Sequence, residues 1–299
     1  MITAKINPDL DGVACAYAYG RLLKMQGKIA TGACFGKPHV EGQYLLDRFD
    51  INDLELNPKT SFDSYILVDA SSLKGMPELI RAEEVIEVID HRHAPEVKEM
   101  FLNAKIEIDL IGAAATMIVE KYQQSGLRID QNSGLLLYGA IFSNTLHFKV
   151  SITSDRDVRA AKWLEENIQI PDNLIDDMFI AKTQAIRNNL KEVIRTDFKV
   201  IETKDGQVGI AQLEVINLQP FLEENIELIL KTLRSLQVEQ KLDYVFLAAV
   251  DIKNGFNIFF TSDEASKNLL IEKLGLRFRG NFARKTGPLL RKQIIEFLV

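Results

Sequence analysis

The sequence predicts an α/β protein, with a parallel-sheet domain in the first half, a smaller mixed-sheet α/β domain in the second, and the active site in the cleft between them. Three observations predict this. Tyr65-Ile66-Leu67-Val68 is a wholly apolar run, as a strand covered on both faces requires. Strand-like runs alternate with helix-length periodic segments up to about residue 168. Beyond Ile170-Pro171-Asp172-Asn173 the strands connect both by hairpins and by helices, which gives a mixed sheet.

The elements follow in order. A short apolar start, Met1-Ile2-Thr3-Ala4, reads as a first strand, and a helix spans Gly12 to Gly27, ending at a glycine. Ile29 to Phe35 reads as a strand, Val40 to Phe49 as a short helix, and Asn52 to Ser64 as a polar loop. Strands at Tyr65–Val68, Val85–Ile89 and Ala104–Leu110 come next, then helices from Gly112 to about Gln124, Asn132 to Leu146 and Asp155 to Ile168. In the second half, Phe198–Glu202 and Val208–Val215 form a hairpin around Lys204-Asp205-Gly206. A helix at Phe221–Leu236, strands at Tyr244–Val250 and Asn257–Phe260, and a helix at Ala265–Leu274 complete the pattern. The predicted domains are residues 1–172 and 181–299, with a linker at 173–180.

The formal net charge is -6, so the composition argues against nucleic acid or an anionic membrane as partner. Between Arg277 and Lys292, however, stand six basic residues and no acid, which reads either as a solvated tail or as a site for a small anion. Cys15 and Cys34 make no metal-binding spacing; a buried, reduced thiol at Cys15 fits a cytoplasmic protein. Asn7, Pro8 and Asp9 interrupt any signal-peptide pattern, and the longest apolar run, Leu135 to Phe142, is too short to span a membrane.

Acids recur at predicted strand ends. Asp9 and Asp11 lie on the turn between the first strand and helix, and are either a helix cap with an extra acid or two oxygen ligands aimed at one point. Asp69 closes the Tyr65–Val68 strand, where it either caps the next segment or serves a site. Asp90-His91-Arg92-His93 closes the next strand. Asp90 can there orient the ring of His91, and Arg92 can grip a phosphate bidentately. Three parallel strands bring these groups to one sheet edge. Three carboxylates and an imidazole suit Mn²⁺ or a similar ion better than a thiolate-preferring structural zinc, and metal-assisted attack of water on a phosphoryl group follows. The small residues of Gly112-Ala113-Ala114-Ala115-Thr116 let an anion approach the N–H groups of a helix start.

These motifs resemble the DHH phosphoesterase superfamily, and most closely its family II, manganese-dependent inorganic pyrophosphatases. The resemblance rests on Asn7-Pro8-Asp9-Leu10-Asp11, Val68-Asp69, Asp90-His91-Arg92, Gly112 to Thr116 and Phe142 to Lys149. In the second half it rests on Val208 to Val215 and Arg291-Lys292-Gln293, which resemble the family's smaller (DHHA2-like) domain. It implies a two-domain enzyme, often a homodimer, that hydrolyses pyrophosphate with Mn²⁺ or Co²⁺ (or Mg²⁺). It carries over Asp9, Asp11, Asp69 (as the bridging carboxylate) and His91 as metal ligands, and Arg291 and Lys292 as residues that bind phosphate; Arg92 and Lys5 complete the candidate catalytic set.

The match departs from the family pattern at defined places. Lys5 stands where a metal-binding histidine is expected, Arg92 where a second histidine is expected, and Asn144 where an aspartate ligand is expected. A phosphate-binding lysine falls on Asn188. The expectation is one tightly bound ion rather than two, with the Lys5 ammonium in the place of the other, paired to Asp9 and Asp69. Asp-His-Arg also resembles the prune-type exopolyphosphatases, so short-chain polyphosphate or a nucleotide is the alternative substrate. A binding protein without turnover is a further alternative.

Overall fold

The computed structural model describes all 299 residues and forms two compact units, Met1–Met178 and Phe179–Val299. The first contains β1 (Ile2–Thr3), α1 (Leu10–Met25), β2 (Ala33–Cys34), α2 (Val40–Arg48), β3 (Glu55–Leu56), β4 (Tyr65–Val68), β5 (Val85–Asp90), α3 (Val97–Met100), β6 (Lys105–Ile108), α4 (Ala114–Ser125), α5 (Gln131–Asn144) and α6 (Asp155–Asn167). Its main sheet has the order β1-β4-β5-β6, and every pair is parallel. All the strands therefore end on one edge, and the residues just past those ends lie along it, the edge where open α/β sheets place their ligands.

Helix α1 is buried over most of its circumference and packs on β1, β2, α4 and α5. A helix apolar all round is an interior helix, and its alanines and glycines allow close approach. A Cβ on Gly12 would stand 2.6 Å from the Ala4 Cβ, and one on Gly32 would stand 2.3 Å from the Ala16 carbonyl oxygen. The strand expected over Ile29–Phe35 shrinks to Ala33–Cys34, with Ile29 fully exposed. Its partner, Glu55–Leu56, lies in a segment expected to be loop. Two residues are too few to show strand periodicity in sequence.

Helix α7 (Leu174–Asn188) contains residues 173–180 save the first, the stretch expected as a linker, and the division between units falls within it. The second unit continues with α8 (Leu190–Thr196), β7 (Lys199–Thr203), β8 (Gly206–Val215), α9 (Leu218–Glu239), β9 (Tyr244–Asp251), β10 (Phe256–Phe260), α10 (Glu264–Leu274), β11 (Phe278–Arg279), β12 (Phe282–Thr286) and α11 (Arg291–Leu298). Its sheet has the order β11-β12-β10-β9-β8-β7, parallel only between β8 and β9 and so mixed. One face packs Leu213, Leu247 and Ile258 against Phe221, Ile229 and Leu233 of α9. The other packs Ile210, Phe246 and Phe259 against Leu270 of α10 and Ile294 of α11.

Candidate metal and phosphate site

Asp11, Asp69 and His91, all buried, offer ligand atoms within 4.8 Å of one another. They follow β1, β4 and β5, so the sheet topology assembles them. Asp69 has φ +50, a left-handed conformation that Asp tolerates better than most residues. His91 Nε2 lies 3.4 Å from Asp69 Oδ1 and 3.8 Å from Asp11 Oδ2.

The orientation of His91 is set on its other nitrogen. Nδ1 bonds the Ile111 carbonyl oxygen at 3.0 Å; a carbonyl only accepts, so Nδ1 carries the proton and Nε2 faces the carboxylates. The expected partner, Asp90, acts elsewhere: its Oδ1 accepts from the His91 backbone N–H at 2.7 Å and from Arg92 Nε at 3.1 Å.

Asp11 is held by groups more than a hundred residues away. Its Oδ2 accepts from Ala114 N at 2.8 Å and Asn144 Nδ2 at 2.6 Å, and its Oδ1 from Ala115 N at 2.8 Å. The anion expected at the start of α4 is thus an aspartate of the chain itself. Cys15 Sγ adds a weak bond to Asp11 Oδ1 at 3.5 Å. Asp9 is the N-cap of α1, accepting from Gly12 N at 3.1 Å, and it stands outside the three-residue cluster.

Lys5 forms no ion pair or side-chain hydrogen bond; a Cβ on Gly75 would meet its Cγ and Cδ at about 3.9 Å and 3.8 Å. The cation on Asp69 is Arg92. Its Nη2 donates to the Asp69 main-chain oxygen at 2.6 Å and also to Asp69 Oδ1. Its Nη1 has no protein acceptor, and its side chain is 45% exposed.

Burial raises Asp11 to about 6, with the Asp9 charge adding to the rise while His91 and the Ala114 and Ala115 N–H groups oppose it. Burial, then the Asp69 charge, also raises Asp9 to about 6. Burial alone would lower His91, but its bond to Asp69 and the charges of Asp11 and Asp69 outweigh that and raise it to about 9. Two buried carboxylates and an imidazole, each oriented by a second hydrogen bond, fit a divalent ion of the Mn²⁺ type.

In the second unit, Arg291 and Lys292 begin α11. Arg291 N donates to Gln212 Oε1 at 2.5 Å, and its guanidinium bonds Asp197 through Nη2 to Oδ1 at 2.8 Å and through Nη1 to the carbonyl. Lys292 is exposed. Asn188 ends α7 and accepts from Gln184 Nε2 at 3.0 Å.

Residues 176–293 match the family model of the DHHA2 domain. The chain is 27% identical to a manganese-dependent inorganic pyrophosphatase of Methanothrix thermoacetophila, over 96% of this chain and 93% of that one. A Bacillus cereus protein assigned the same activity by name is also 27% identical, over 98% and 95%. Among solved structures, a Methanococcus jannaschii protein assigned as a family II inorganic pyrophosphatase superposes with a TM-score of 0.68 at 24% identity, covering 99% of this chain and 97% of its own. An exopolyphosphatase-related protein of Bacteroides fragilis shares the fold more distantly, with a TM-score of 0.52 at 14% identity, over 99% and 89%. With an α/β parallel-sheet unit followed by a segment that matches the DHHA2 domain, the chain resembles the family II, manganese-dependent inorganic pyrophosphatases of the DHH phosphoesterase superfamily over nearly its whole length.

Proposed function

We propose that this chain is a metal-dependent hydrolase of phosphoanhydride bonds that converts inorganic pyrophosphate to phosphate. The observation that carries the reading is the buried Asp11–Asp69–His91 cluster at the ends of three parallel strands, in a chain similar from end to end to manganese-dependent inorganic pyrophosphatases. Asp11, Asp69 and His91 would hold one divalent ion, Mn²⁺ ahead of Co²⁺ or Mg²⁺. Such an ion supplies Lewis acidity toward a phosphoryl oxygen and an activated water at neutral pH.

The chain's own residues do the rest. The start of α4 and Asn144 fix the Asp11 carboxylate, and the Ile111 carbonyl fixes the His91 ring. Arg92 occupies Asp69 Oδ1, an oxygen that a bridging carboxylate would need for a second ion, and its charge repels such an ion. Arg92 Nη1 and the unpaired Lys5 supply positive charge toward phosphoryl oxygens, and by resemblance Arg291 and Lys292 of the second unit are candidates for binding phosphate. Asp9 serves as the cap of α1 rather than as an obligatory ligand.

Arg92 on the reacting side also favours a second reading, in which the substrate is a short polyphosphate whose terminal phosphoryl group the guanidinium grips. Comparing phosphate release from pyrophosphate, tripolyphosphate and nucleoside triphosphates separates the two. Pyrophosphate turned over fastest supports the first reading, and tripolyphosphate turned over fastest replaces it with the second. Binding without release from any substrate overturns both.

A further inference from the structure

The basic stretch divides in the folded chain, and Arg291 and Lys292 begin α11. Arg277, Arg279 and Arg284 point elsewhere. Phe278 and Ala283 pack into the layer beneath α10 and α11. Side chains alternate along strands, so Arg277, Arg279, Phe282 and Arg284 lie on the opposite face, the one covered by α9. With Gln219 and Ile258 these residues line a cavity of about 560 Å³, within the size range of small-molecule sites.

None of the three arginines has an acid partner. Arg284 is held in place by stacking, its guanidinium carbon 3.8 Å from the centre of the Phe256 ring. On α9, Glu223 accepts from Gln219 Nε2 at 2.6 Å. Arg291, by contrast, bonds Gln212 on β8, on the other face. From β12 to β8 is three strand steps, about 14 Å of sheet.

We propose that this groove is a second anion site that takes a chain of phosphoryl groups, one guanidinium to each. Guanidinium forks match phosphate oxygens bidentately, which favours this class over a lone carboxylate. The Phe282 ring is already packed against Phe260 at 4.7 Å between centroids, so the groove selects phosphates rather than a base. Inorganic polyphosphate and the phosphate chain of a nucleotide share that chemistry.

The test is calorimetric titration of the full chain with tripolyphosphate, with ATP and with adenosine. It uses an Asp69→Asn/Arg291→Ala protein, which disables the site proposed for hydrolysis, and the same protein with Arg279→Gln/Arg284→Gln added. Tripolyphosphate binds the first protein, and the added changes weaken it about 10-fold or more, the loss expected for two charge-assisted hydrogen-bond partners. ATP binding with equal affinity assigns recognition to the phosphates; much tighter ATP binding together with adenosine binding would show a nucleoside site and overturn the phosphate-only assignment. No binding to the first protein, or equal binding to both, overturns the proposal. Because Arg284 also packs on Phe256, Arg277→Glu serves as a second variant on an exposed side chain, and it must weaken binding too. Arg279→Gln/Arg284→Gln in the otherwise unaltered chain leaves pyrophosphate hydrolysis unchanged, so failure of the hydrolase reading and failure of this site are read separately.

Discussion

Arg92 Nη2 donates to both the main-chain oxygen and the carboxylate of Asp69, and so places a fixed cation against the acid that closes β4. In the function proposed above, a guanidinium there stands in for the charge of a second metal ion. Replacing Arg92 with histidine, the residue the family pattern has at that place, is expected to raise bound Mn²⁺ from one to two per chain. Replacing it with alanine is expected to lower kcat about 100-fold, the scale of losing one positioned electrostatic donor. Metal analysis after gel filtration, with kcat on pyrophosphate, checks both. One Mn²⁺ in Arg92→His and a rate within a few-fold in Arg92→Ala would reduce Arg92 to a structural role.

The two acids of the first turn have unequal tasks. Asp9→Ala removes a helix cap and is expected to cost about 1 kcal/mol while leaving Mn²⁺ binding largely intact. Asp11→Asn turns an amide N–H₂ group toward one of the two N–H donors, Ala114 or Ala115, and is expected to cost about 3 kcal/mol in metal-free protein and to abolish Mn²⁺ binding. Urea titrations of the metal-free proteins and Mn²⁺ titration separate these outcomes. Equal loss of metal in both variants contradicts the assignment.

The Asn7-Pro8-Asp9 turn depends on Gly36. Gly36 has φ +74, and a Cβ there would stand 2.1 Å from Asn7 Oδ1, the acceptor for Lys37 N–H. Gly36→Ala is expected to destabilise the chain by about 2 kcal/mol and to weaken Mn²⁺ binding by displacing the turn. Thermal melts of metal-free protein with a parallel Mn²⁺ titration measure both effects.

Much of this was legible in the sequence, for physical reasons that also set the limits. Tyr65–Val68 stands out because a strand buried on both faces must be apolar, and the run ending at Asp90 because β-branched residues recur on both sides of Glu87. The acids after them stand out because packing does not explain them. The partners of Asp11 were not legible: Ala114, Ala115 and Asn144 are separated from it by 103, 104 and 133 positions, and two of them contribute backbone. The choice between Lys5 and Arg92 as the cation on Asp69 turns on side-chain reach from neighbouring strand ends, which spacing does not encode. The strands β11 and β12 were hidden because arginines alternate there with Phe278 and Ala283, and the charge obscures the strand period.

In the second unit, Glu214 accepts from Lys182 Nζ at 2.9 Å and from Gln212 Nε2 at 2.9 Å. Burial alone would raise its carboxyl, but the Lys182 charge and hydrogen bond, with help from Gln212 and Arg291, hold it below its ordinary value of 4.5. A depressed carboxylate stabilises the fold above its unfolded value, and that contribution is lost as pH falls through the folded one. Glu214→Gln is therefore expected to be less stable than the parent at pH 7 by about 2 kcal/mol. The gap should close below pH 4.5. Urea midpoints across that range decide it; a gap that stays constant with pH would show that the charge contributes nothing.

Phosphate release from pyrophosphate reports on the Asp11–Asp69–His91 cluster itself. Protein stripped of metal and reconstituted with Mn²⁺ is compared with Asp69→Ala treated in the same way. The expected result is release that requires Mn²⁺, saturates at one ion per chain and is lost in Asp69→Ala. Release without added metal, or equal release from the variant, would contradict it.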